Sequence, residues 1–119
     1  MTYRVVLQPR AERDIRQQAF WLLSKSESPS VALRWSRGIR ARIATLRSNP
    51  SRCPVDPDSA AYGEEVRVLR YGKKAGVHRV LFAIRGHEVH VLTVRHAAQL
   101  SLREEIELSE ADDDDSAIH

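Results

Sequence analysis

Apolar and polar positions alternate most sharply between His78 and His96. From His78 to Arg85, Val80, Phe82 and Ile84 fall on one side and Arg79, Leu81, Ala83 and Arg85 on the other, because successive side chains of a strand face opposite ways. A second run from Glu88 to His96 has the same β-branched character, and Gly86-His87 between them supplies the backbone freedom that a tight turn needs. The pattern predicts a hairpin at the centre of a sheet, with the Val80 face packed on helices and the opposite face carrying a cationic rim. In the second arm Val89, Val91 and Thr93 alternate with His90, Leu92 and Val94, so cover on both sides is expected.

The rest of the chain reads around that hairpin. Tyr3 to Leu7 is a short strand, and Pro9 suits the first turn of a helix. Ala11, Ile15, Ala19 and Leu22 recur at helical spacing, with Phe20, Trp21 and Leu23 broadening the apolar surface. Ser24 to Ser28 reads as a polar break, with Ser28 placed to cap a second helix that starts at Pro29. Ala32, Trp35, Ile39, Ile43 and Leu46 carry that helix to about Ser48, and Asn49-Pro50 stops it. Residues 51–62 lack periodicity and read as a crossing loop. Glu65 to Arg70 is a strand, turned back at 71–76, and a short helix is expected over 100–108. These elements make an α+β domain, a helical hairpin on a small antiparallel sheet, over residues 1–108. Residues 109–119 form an acidic tail that cannot bury anything and is expected to be disordered.

Charge sharpens the picture. The net charge is only +3, yet all 19 Lys and Arg precede position 104 while five of the 16 acids lie in the tail, so residues 1–108 carry +8. Most of these bases are arginine, suited to bidentate contact with carboxylates and phosphates, which points to an acidic or phosphate-bearing partner. Asp112 to Asp115 either fold back on that cationic surface or act as a solubilising extension. The single Cys53 excludes an internal disulfide and fits a cytoplasmic protein. No apolar run suggests a signal segment or a membrane span. His78, His87 and His90 lack the spacing of metal ligands, so neither metal nor cofactor is expected.

Several stretches together resemble the ParE/RelE superfamily of type II toxins. They are Tyr3-Arg4-Val5-Val6-Leu7 with Pro9-Arg10-Ala11-Glu12-Arg13-Asp14-Ile15, then Ala32-Leu33-Arg34-Trp35 through Asn49-Pro50. Glu65-Val66-Arg67, His78-Arg79-Val80-Leu81-Phe82 and Val89 to His96 complete the set. The similarity spans about residues 2–98. The resemblance implies one of two activities. ParE-like members inhibit DNA gyrase without a reaction of their own; RelE-like members are ribosome-dependent messenger RNA endonucleases.

For the nuclease branch, Arg79 matches the sheet arginine and His96 is the candidate acid or base, but the strand pair of lysines and a tyrosine after the last strand are missing. The Gly72 turn and Val94-Arg95-His96-Ala97-Ala98 look more like ParE proteins, so growth inhibition through gyrase is expected, with a RelE-like messenger RNA endonuclease or an inactive antitoxin-binding relic as the alternatives. The resemblance implies a cognate antitoxin that forms a hetero-oligomer with the toxin and binds operator DNA at its other end. Arg67, Arg70, Arg79 and Arg95, with Phe20 and Trp21, are the residues expected to meet target or antitoxin. Arg79 also has a structural use open to it, pairing with Glu65 or Glu88 on neighbouring strands.

Overall fold

Period-two segments at both ends of the chain meet in one sheet, and the period-3.6 segments between them cover one of its faces. The computed structural model describes residues 2–72 and 77–96. Strand β1 (Arg4–Leu7) leads into helices α1 (Pro9–Ser26) and α2 (Pro29–Ala44), followed by β2 (Arg67–Tyr71), β3 (His78–Arg85) and β4 (Glu88–His96). The strand order is β1-β4-β3-β2. The last three strands form the expected antiparallel meander, and β1 joins it in parallel beside β4, so the sheet is mixed. The helix expected over 100–108 and the tail 109–119 lie outside the described residues.

Gly86, at φ 62°, opens the two-residue turn between Arg85 and Glu88, and His87 stays at negative φ. That is the sign pattern of a type II′ turn, whose twist matches its strands. Leu81 pairs with Thr93 but Phe82 pairs with Val91, so Leu92 is an extra residue and β4 carries a bulge. The bulge corrects the simple alternation. Val94, not Thr93, joins Val89 and Val91 in the core beneath the helices, together with Val80, Phe82, Ile15, Ile39 and Ile43. A second, smaller core of Val66, Val68 and Leu81, flanked by Tyr62 and Leu92, lies on the other face. The irregular segment between α2 and β2 builds it. Asp56 N–H donates to the Val66 carbonyl (2.7 Å) and Val68 N–H to that of Pro54 (3.0 Å), which also occupies the outer edge of β2.

The helices depart from expectation in detail. α1 runs through the Ser24–Ser26 stretch, where the Ser24 and Ser26 hydroxyls donate back to the Trp21 and Leu22 carbonyls without breaking the helix, and it is capped by Glu27, whose φ is 55°. Ser28 occupies the N-cap position of α2 without a side-chain cap; its hydroxyl meets that of Ser30. α2 ends at Ala44 and tightens into a 3₁₀ turn over Thr45–Arg47.

Two contacts fix the helical layer. The Glu12 carboxylate accepts two hydrogen bonds from Arg40 (3.0 and 2.7 Å), clamping α1 to α2, and a third from Arg16 (3.3 Å). The Arg40 hydrogen bonds hold the Glu12 carboxyl below its ordinary value against the opposing effect of burial. The unfolded chain therefore binds a proton first as pH falls. The clamp contributes fully above the ordinary carboxylate range and is lost as pH drops through the lowered value. Glu12→Gln is expected to flatten that part of the acid limb, read as urea midpoints measured from neutrality downward; an unchanged limb would refute it.

The second contact is at Gly38, where α2 meets Tyr71 so closely that an added Cβ would run into the phenol oxygen, with Cζ 2.9 Å away. Tyr71 is braced edge-on by Trp35 at 6.4 Å, so it cannot swing aside freely. Gly38→Ala is expected to lower stability by about 1–2 kcal/mol, because overpacking of about 1–3 kcal/mol outweighs the gain of about 1 kcal/mol in helix propensity. Thermal melts should show the loss, and Tyr71→Phe in the same chain should return part of it.

Candidate functional site

The antiparallel register sets Arg70, Arg79 and Arg95 side by side across β2, β3 and β4, on the face away from the helices. Three like charges in one row repel, so an anion is needed between them. Asp56 supplies it. Its carboxylate, 4% exposed, lies 3.8 Å from Arg79 and accepts the Asp58 N–H at 2.9 Å. Arg79 thus takes its carboxylate partner from the crossing segment rather than from Glu65 or Glu88. Arg95 is only 3% exposed, whereas Arg70 is exposed and has no carboxylate partner among the described residues. Tyr62 closes the cluster; burial pushes its phenol up, and the Asp56 charge adds to that. Neither Asp56 nor Tyr62 was signalled by the sequence, since both sit where no periodicity exists.

Arg67 belongs elsewhere. It pairs with Phe82, on the helix side, and its guanidinium donates to the carbonyls of Cys53 (2.6 Å) and Ser51 (3.2 Å) and to Glu65 (3.1 Å). It anchors the crossing segment. At the opposite end of the sheet Arg85 donates twice to Glu64 (3.1 and 2.6 Å), which holds the Glu64 carboxyl below its usual range.

His96 and Arg79 are also apart. His96 pairs with His78, and the two rings meet edge-on at 4.9 Å, with Trp35 of α2 edge-on to His78 at 5.0 Å. These rings belong to the helix side, one residue out of phase with Arg79 and Arg95. The two imidazoles line a cavity of about 370 Å³ with Asp14, Gln17, Gln18, Trp21 and Val94. Asp14 Oδ2 accepts both the Thr93 hydroxyl (2.6 Å) and the Val94 N–H (2.9 Å), pinning α1 to the bulged strand. No group of three or more His, Cys, Asp or Glu that could hold a metal occurs among the described residues, and none of their helices is long and apolar enough to cross a membrane.

Phe20 and Trp21, 71% and 51% exposed, stand on the solvent side of α1, with the Lys25 ammonium 5.9 Å from the Trp21 ring. Phe20 opens onto a groove between the helices that also includes Leu23, Leu33, Ala32, Arg16 and Arg40. Large apolar side chains are seldom left exposed beside one another without a partner. The structure therefore opens Phe20 onto the interhelical groove and its neighbour Trp21 onto the His78–His96 cavity, and sets Arg70, Arg79 and Arg95 in one row on the face of the sheet away from the helices.

This arrangement has relatives. A solved structure of the chromosomal ParDE TA system from P. aeruginosa contains a similar chain, with a TM-score of 0.65 at 18% identity, covering 80% of this chain and 96% of that one. At that identity the likeness speaks for the fold. A search of curated protein sequences returns no match. The family model of the ParE toxin of type II toxin-antitoxin system, parDE, matches residues 5–101, which takes in the sheet, both helices and the arginine row. With the match running through nearly the whole domain, the chain belongs to the ParE toxin family.

Proposed function

We propose that this protein inhibits growth by binding DNA gyrase and is neutralised by a cognate antitoxin, acting in the cytoplasm without catalysing a reaction. The observation that carries the reading is the separation of Arg79 from His96. A phosphodiester cleaved through a ribose hydroxyl needs a cation and a proton-transfer group on the same few atoms. Here the guanidinium faces Asp56 on one side of the sheet, and the imidazole faces His78 on the other. Protein recognition asks for exposed aromatic and arginine anchors instead, and the helical layer offers Phe20, Trp21 and several exposed arginines. An antitoxin segment that orders as it binds suits such a surface, with Arg70 as a further landing point, and any contact with operator DNA then runs through the antitoxin.

Purified protein added in parallel to a gyrase supercoiling assay and to ribosome-dependent messenger cleavage tests this. Loss of supercoiling without cleavage is the expected result, reversed by the antitoxin. Codon-positioned cleavage that disappears in Arg79→Ala would overturn it in favour of a nuclease. Silence in both assays would overturn it in favour of a relic that keeps only antitoxin binding.

A further inference from the structure

The groove between α1 and α2 is apolar along its floor and cationic along its rim. Phe20, Leu23 and Leu33 supply the floor, and Arg16 and Arg40 the rim. Arg13 lies one helical turn before Arg16, and Arg37 one turn after Leu33; both are exposed and have no carboxylate partner among the described residues. What fits there is a segment that interleaves aliphatic and acidic side chains. The same chain carries one: Leu100, Leu102, Ile106 and Leu108 alternate with Glu104, Glu105 and Glu107, and Asp112 to Asp115 follow.

The path is short. β4 ends at His96, on the wall of the cavity that Trp21 also lines, and Phe20 of the groove is the residue just before Trp21 on α1. A helix with its side chains is about 10–12 Å across, and the four steps from His96 to Leu100 reach about 13 Å when extended. We propose that residues 100–115 lie in the α1–α2 groove of their own chain, with their aliphatic side chains on Phe20, Leu23 and Leu33 and their carboxylates toward Arg13 and Arg37. The tail is then an internal competitor for this surface, which any partner binding there has to displace. The docking stands whether or not gyrase is the target.

A nitroxide attached to Glu107→Cys in the full chain tests it. Cys53 is buried, and burial pushes its thiol up, so the label goes to the new cysteine. At low salt the amide peaks of residues 16–23 and 32–40 should lose intensity selectively. The loss should fall when Glu104, Glu105 and Asp112–Asp115 are changed to Gln and Asn, with the remaining amide shifts unmoved as the check on folding. Intensity loss centred on β2–β4, loss spread evenly, or no change on neutralisation would overturn the proposal. A mixture of labelled chain with unlabelled, isotope-enriched chain separates self-docking from docking on a second copy: broadening in the mixture overturns the single-chain form.

Discussion

Asp56→Ala is expected to lower the unfolding free energy by about 3–5 kcal/mol, the usual consequence of removing one partner from a buried ion pair. Asp56 is the carboxylate that answers Arg79, whose side chain is only 18% exposed, so alanine leaves that guanidinium without its ion partner, next to Arg95 in the register. Each kcal/mol moves the melting temperature of a domain this size by about 4–8 °C, so the variant should melt far below the parent. Asp56→Asn keeps an acceptor for the Asp58 N–H while losing the charge, and should fall between the two. Adding Arg79→Met to Asp56→Ala should recover part of the loss, because a stranded charge is then gone. Urea unfolding of the four proteins measures this, and a single alanine variant within about 1 kcal/mol of the parent would show that the row is neutralised by other means.

Asp14→Ala is the second large effect, expected at about 2–4 kcal/mol. One carboxylate oxygen satisfies both the Thr93 hydroxyl and the Val94 N–H, and both residues are buried. Each donor left without an acceptor costs about 1–3 kcal/mol. Asp14→Asn, whose side-chain oxygen can accept the same two bonds, should be much milder. Hydrogen exchange gives a local reading: the Val94 amide should lose protection in Asp14→Ala more than the amides of β2 do. Equal protection of Val94 in variant and parent would mean that Asp14 does not hold the bulged strand to α1.

Much of this fold was legible in the sequence, for reasons tied to particular residues. The hairpin was readable because Val80, Phe82 and Ile84 keep strict alternation up to a glycine in the turn, and both helices because Ala11, Ile15, Ile39 and Ile43 keep theirs. Leu92 escaped. A single extra residue in a strand leaves no mark on composition, yet it moves Val94 to the core side and shifts every later residue, including Arg95 and His96. The arginines were legible as a set but not as individuals. Whether a strand guanidinium faces outward depends on what covers it, and the cover here comes from residues 53–66, where pattern gives no guidance. Thus Arg67 turned out to hold backbone carbonyls, Arg79 to face Asp56, and Arg95 to be enclosed, while Arg70 stayed open. The exposure of Phe20 and Trp21 was legible because two large aromatics exceeded what one buried helix stripe can hold.

The parallel pairing of β1 with β4 ties the closing of the sheet to the order of synthesis. Arg4 to Leu7 are made well before Glu88 to Val91 and must wait for that strand before their backbone groups are matched. A nascent chain broken off before that point keeps its first strand without a neighbour and its hydrophobic interior unsealed. Translation has to pass β4 before the sheet can close.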